Sequence, residues 1–471
     1  MKDRPVRRIL LILLLFSTTT ARGQQASSPA PRIDSPNELD KIKESCFNLK
    51  TLLSCGETLF TGKPVHIAIG SIAPQNGFGA GLAYVGHKTT DNWRDSWNAD
   101  AIGSINGSWR AGVYLKFVHT PDSPVDVGFG TPPPPLKINL TELPEHTVFG
   151  WYAQVTSLNK LTYFGLGPGS ARASRSFFGM TETILGGNVV KPFYARLNAS
   201  LYGEINGRFV NVRRSQDQGS PSIEQLYTEA TAPGLTNQPG TLQLGEGVRI
   251  RPILAKDVVR LNYNLAYQQF FTPGANFSFE RLTIDLGHQF ALYRTSTRIL
   301  EPRLANGPDD CALDPVTHPE CPKLSVRNLE GNIGLRFLTA LSMTPGGNVV
   351  PFYFQPTLGG ADINGNPSLS SYEDYRFRAP NIMLLRESFE HSIWNLPLGV
   401  AFIADQGKVA LTRGDFGSSP WVHSFSAGLT LRAGGFPQVF LLFSWGGNEG
   451  THTIVNVNTS LLGGAARPSL Y

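Results

Sequence analysis

The stretch from Leu358 to Val409 reads LGGADINGNPSLSSYEDYRFRAPNIMLLRESFEHSIWNLPLGVAFIADQGKV. It opens on two glycines, crosses a polar segment holding Tyr372, Tyr375, Arg376, Phe377 and Arg378, and re-enters alternating apolar sequence. In its last part Leu398, Val400 and Phe402 fall on one side of a period of two, with Gly399, Ala401, Ile403 and Asp405 on the other. This is the pattern of one long polar loop between two strands.

The same period governs the chain on both sides of that stretch. From Arg260 to Phe271 the odd positions include Leu261, Tyr263, Leu265, Tyr267 and Phe271, and the even ones Asn262, Asn264 and Gln268. From Asn328 to Met343, Ile333, Leu335, Phe337 and Leu341 alternate with Glu330, Asn332 and Arg336. Segments Phe193 to Ile205, Phe425 to Leu431 and Val455 to Leu461 alternate too. One face of each strand suits oil and the other water. Most of these strands are longer than the ~5–6 residues of globular sheets and suit a tilted membrane crossing of ~9–11.

Composition agrees. Charged residues make up 16% of the chain, glycine (49) and phenylalanine (28) are abundant, and mean hydropathy is −0.12. After the first twenty residues no apolar run reaches the ~18 needed for a spanning helix, so any crossing is made by strands. The turns are read less directly. Asn206-Gly207 has the sequence of a type I′ hairpin turn. Trp97 to Phe117 reads as one long strand, bulged at Gly107, because Trp97, Ile105, Trp109, Val113 and Phe117 keep a common face. Long loops are expected at Thr120 to Pro135, Ser215 to Gly240, Glu301 to Leu324 and Gly360 to Arg378, all on the outer side of the cell, with short turns such as Thr344 to Asn348 between strands.

The N-terminus has the form of a secretory signal over residues 1–23. Lys2, Arg4, Arg7 and Arg8 precede the apolar Ile9 to Phe16, and Ala21-Arg22-Gly23 offers small residues for cleavage. Its removal takes the net charge from +5 to about +1, which gives no reason to expect a nucleic-acid partner. Residues 24–65 read as a periplasmic leader, with an amphipathic helix over Asn37 to Leu53. Four cysteines form two close pairs, Cys46 with Cys55 and Cys311 with Cys321, and in an exported chain these read as local disulfides. A zinc site would want tighter spacing and nearby histidines, so no metal is expected.

Several of these segments together resemble the barrel of the BamA/TamA-type bacterial surface-antigen superfamily. Leu358-Gly359-Gly360, Tyr375 to Arg378, and Phe402, Asp405 and Gly407 match, in order and spacing, that family's strand end, lid loop and closing strand. GSIAPQNGFGAGLAY from Gly70 resembles its first strand, and YFGLGPGS from Tyr163 its glycine-rich segment. The resemblance implies an all-β, transmembrane antiparallel β-barrel of 16 strands over residues 66–471. It implies location in the bacterial outer membrane, contact with outer-membrane lipid and with other outer-membrane proteins, and a part in their assembly or translocation. Two departures point to the alternative of a stand-alone pore or binding barrel. The leader has no room for the family's periplasmic domains, and Leu369-Ser370-Ser371-Tyr372 stands where the family has Leu-Arg-Gly-Tyr/Phe.

In the family, the lid arginine reaches acidic groups on the strands that follow. Asp405 remains here; in a dry, protein-lined lumen a carboxylate wants a cation, whereas in a wet one it is simply solvated. Arg376 or Arg378 is expected to supply the cation. No nucleophile elbow, paired carboxylates or His-Glu-x-x-His motif occurs, so neither an enzyme nor a cofactor is expected.

Overall fold

The computed structural model describes residues 65–90, 92–119, 146–215, 220–254, 258–300, 324–393, 398–433, 436–447 and 449–457. The expected signal and leader helix, all four cysteines, residues 458–461 of the expected Val455 to Leu461 strand, and loop residues 120–145 and 301–323 lie outside the described residues. The first half of the sheet comprises β1 (Val65–Ser71), β2 (Phe78–Thr89), β3 (Trp93–Ser104), β4 (Trp109–His119), β5 (Val148–Tyr163), β6 (Ser176–Tyr194), β7 (Ala199–Arg214) and β8 (Thr241–Ile250). After the short β9 (Ile253–Leu254) come β10 (Val259–Phe271), β11 (Phe279–Leu300) and β12 (Leu324–Met343). β13 (Thr357–Leu358) and β14 (Phe377–Arg378) pair with each other in the long connection that follows. The sheet ends with β15 (Asn381–Ser392), β16 (Leu398–Ala410), β17 (Val422–Ala433), β18 (Phe436–Trp445) and β19 (His452–Val457).

The main sheet has 17 strands, of which the two-residue β9 merely continues β8 along β10, so that sixteen full strands remain. Neighbours in sequence pair antiparallel from β1 to β19, with β12 meeting β15 across the β13–β14 insertion. The side-chain distribution is inverted relative to a soluble sheet. Leu82, Trp151, Phe402 and Phe443 are between 51% and 61% exposed, whereas Asn206, Arg208, Gln243 and Asp405 are at most 2% exposed. A continuous apolar exterior of this kind is stable only against lipid, and the buried polar side chains line the inside. The lid reaches toward both ends of the sheet: Asp374 accepts from Gln75 beyond β1 and feels the charge of His452 at the start of β19.

Three expectations about turns are corrected. Trp97 to Phe117 is a hairpin, not one strand, with a turn at Ile105–Ser108 and Gly107 at φ +80°. Gly103 pairs with Trp109, leaving five residues between them, and an odd-numbered loop preserves the in/out parity that an unbroken strand would have. Asn206-Gly207 is not a turn but lies in mid-β7, paired with β6 and β8. Asn206 faces the interior, where its Oδ1 accepts from Tyr152 Oη. The chain reverses instead at Ala195–Asn198, inside the expected Phe193 to Ile205 strand, with Asn198 taking the left-handed conformation that Asn tolerates.

Strand parity also corrects the placement of the loops. Successive antiparallel strands run in opposite directions, so the connections after β7 and β12 emerge at one mouth. Those after β4 and β11 emerge at the other, and the four long loops do not share a side. Thr344 to Asn348 forms a turn, but it leads into the barrel rather than to another strand.

Candidate functional site

The connection from β12 to β15 is a lid folded into one mouth. Its first part, Pro351–Phe354, enters an aromatic cluster contributed by the wall. Phe352 meets Tyr163 and Phe178 edge-on, at centroid distances of 5.3 and 5.1 Å, and Phe354 packs on the stacked pair Phe270 and Phe279. Ile223 and Ala232 of the β7–β8 connection complete this core, and the Phe352 N–H donates to Pro233 O at 2.8 Å. The mouth is therefore closed by packed apolar side chains.

The second part of the lid is fastened by polar contacts. Gly359 and Gly360 both have positive φ, and a Cβ on Gly360 would lie 2.5 Å from the Asp374 backbone nitrogen, so the glycines permit the sharp return toward Leu369. Leu369, buried and itself at φ +46°, donates its N–H to Asp405 Oδ2 at 2.8 Å. Its side chain occupies the space that a Cβ on Gly407 would need, 2.9 Å away. Ser370 is buried beside it. The Ser371 N–H donates to Ser424 Oγ, and its hydroxyl donates to Gly446 O at 2.6 Å. Tyr372 packs edge-on against Phe377. The altered tetrad thus docks through backbone and serine contacts.

Asp405 does have a cation, but it is neither Arg376 nor Arg378. Arg386, directly opposite on β15, binds Asp405 with both prongs at 2.6 and 2.8 Å. Strand register sets this partner, since Arg386 and Asp405 form a cross-strand pair on the inner face. Arg376 pairs with Glu449 of the β18–β19 turn, donates to the Ser170 hydroxyl and carbonyl at 2.9 Å, and stacks between Phe164 and Phe377. Arg378 donates to the carbonyls of Phe352 and Gln355. Its own carbonyl accepts from Gly167, in the glycine-rich segment after β5. Two segments singled out separately in the sequence are therefore in contact.

Replacing Asp405 with Asn keeps an acceptor for Leu369 but removes the charge opposite Arg386. The lid's own bond from Leu369 changes from charge-assisted, about 1.5–3 kcal/mol, to neutral, about 0.5–1.5 kcal/mol, so lid docking is expected to weaken by about 1 kcal/mol. Limited trypsin digestion should then cleave after Arg376 faster than in the unaltered chain, and an unchanged rate would contradict this role for Asp405.

Sequence reading also missed a clamp at the rim. Glu373 receives Arg172 at 2.8 Å and Arg175 at 3.0 Å. Burial alone would raise the Glu373 carboxyl, but hydrogen bonds from the two arginines outweigh it and hold the group below the usual carboxylate range. Folding-linked stabilisation from such a group is complete above the unfolded carboxylate pKa and disappears as pH falls through the lower folded value. Both arginines are about half exposed, so the effect is modest. Asp374 and Asp362 act with the opposite sign, because burial raises both above the usual range. Glu373→Gln removes the contribution that is lost on acidification, so the variant's lid is expected to be more protease-sensitive than the unaltered one at neutral pH, with the difference closing as pH falls below the ordinary carboxylate range.

Beneath the lid lies a cavity of about 820 Å³ with a mixed lining, in which Lys116, Glu204, Arg249 and Gln268 of the wall and lid residues Asp362, Asn364 and Asn366 are set among apolar groups such as Leu338, Leu358 and Leu384. No group of metal-ligating side chains occurs among the described residues.

No family model and no curated protein matches the chain. Solved structures similar to it include CdiB from Acinetobacter baumannii, at 11% identity over 83% of this chain and 58% of that one, with a TM-score of 0.43. CdiB from Escherichia coli is 12% identical over 83% and 61%, with a TM-score of 0.46. BamA from Haemophilus ducreyi lacking POTRA domains 1–3 is 10% identical over 83% and 67%, with a TM-score of 0.46. The chain thus spans about three fifths of the length of the CdiB structures it matches.

Proposed function

We propose that the chain is a bacterial outer-membrane barrel of the surface-antigen type that assists assembly or translocation of other outer-membrane proteins, its lid restraining the place where the sheet's two ends meet. The observation that carries this reading is the position of three consecutive lid residues. Tyr375 donates to Pro74 O in the turn after β1, Arg376 binds Glu449 in the turn before β19, and Asp374 lies between Gln75 and His452. Release of one short segment would thus free both edges of the sheet together. Removing the gene and quantifying outer-membrane proteins by mass spectrometry tests the proposal: several unrelated barrels should fall together. Loss of this protein alone would favour a stand-alone pore, the reading that the cavity beneath the lid supports, and conductance in planar bilayers would then be measured. No catalytic role is proposed.

A further inference from the structure

The charge lining the cavity is unbalanced. Four cations face it, Lys116, Arg249, Arg281 and Arg336, against the carboxylates of Glu204 and Asp362. Arg336 is already bound to Asp285 by both prongs, and Arg281 donates to the Phe354 carbonyl. Lys116 and Arg249 differ. Among the described residues neither forms an ion pair, and the contact Arg249 makes is with the face of Tyr202, 4.7 Å from the ring centroid. Both lie near the ends of their strands farthest from the lid, Lys116 three residues before the end of β4 and Arg249 one before the end of β8.

The two carboxylates are occupied. Glu204 accepts from Gln243 at 2.7 Å, from Gln268 at 2.9 Å and from Tyr202. Asp362 accepts from the backbone of Asn364 and Asn366 and from the Asn366 amide, which folds the lid tip back on itself. The hydrogen bonds to both carboxylates thus come from neutral donors, with the charge of Arg336 acting on Asp362 as well, while Lys116 and Arg249 across the lumen form no ion pair among the described residues. A lumen walled by low-dielectric protein concentrates that excess positive potential.

We propose that this cavity is a binding site for a multiply charged oxyanion, a small molecule bearing phosphate or several carboxylates, admitted past Lys116 and Arg249 from the mouth opposite the lid. Lys116 and Arg249 supply charge-assisted hydrogen bonds, with the lining amide Asn264 opposite Arg249 in the ladder and Gln268 four residues nearer the lid along β10. Binding depends only on the barrel and its lumen, whereas passage through the chain rests in addition on release of the lid.

Isothermal titration of the purified full-length chain in detergent with inorganic triphosphate tests the site. Saturable binding that weakens with added salt is expected, and Lys116→Gln with Arg249→Gln should lower affinity at least tenfold. Lys116→Gln alone, at a position open to water, serves as the second variant and should lower it about threefold. Absence of binding to the unaltered chain, or affinity within twofold in both variants, would overturn the proposal. In planar bilayers a lid-released variant should pass anions in preference to cations, and cation preference would count against the site. A silent bilayer with intact triphosphate binding would count against lid-gated passage and leave the site standing.

Discussion

Arg376→Ala is expected to release the lid. The guanidinium is 4% exposed and its partner Glu449 12%, so the ion pair is shielded from solvent. Removing one member of a buried pair leaves the other charged and uncompensated, at a cost of about 3–5 kcal/mol. Arg376 also fills the gap between Phe164 and Phe377, at 4.9 and 4.6 Å from their centroids, so its loss opens a void next to the lid core. The two Ser170 contacts go with it. Conductance of the variant in planar bilayers should rise well above that of the unaltered chain. Arg376→Lys should restore little, since an ammonium cannot reproduce the planar contacts to Glu449, Ser170 and two rings at once. If Arg376→Ala conducts no more than the unaltered chain, the lid is held mainly by its aromatic part.

The second large effect concerns the wall. Arg208 on β7 and Glu182 on β6 are 2% and 1% exposed, 2.8 Å apart, and Arg208 also donates to Gln243 on β8. Three strands are tied through one guanidinium. Arg208→Ala leaves the Glu182 carboxylate buried without its charge partner, and the barrel should lose about 3–5 kcal/mol. The urea midpoint of unfolding in detergent measures this. Converting both residues together to apolar side chains of similar volume, Glu182→Leu with Arg208→Met, should cost much less than Arg208→Ala. Equal losses would show that Gln243 rather than Glu182 is the partner that matters.

The period of two was enough to reveal the barrel, because every strand has one face to oil and one to a polar lumen. It could not separate a strand from a hairpin whose loop is odd, which is why Trp97 to Phe117 looked continuous. Asn206-Gly207 misled for the opposite reason: Asn is a turn former at the surface but also a good hydrogen-bonding residue on an inner wall. The lid was legible as a segment, from its glycines and its polar length. Its fastenings were not. The partners of Arg376, Glu373 and Tyr375 come from turns roughly 75 to 300 residues away along the chain, brought together only by closure of the sheet. Arg386 was within reach of the reasoning, since pairing β15 with β16 from the turn between them would have set it opposite Asp405.

An even number of strands has a topographical consequence. The sheet begins at Val65, and its last described strand ends at Val457, both at the mouth opposite the lid. An epitope placed just ahead of Val65 and one inserted at Gly417, in the β16–β17 connection on the lid side, would stand in different compartments. Antibody labelling of intact cells would detect one of them and not the other, and so orient the lid, the cavity entrance and both long-loop pairs in a single comparison.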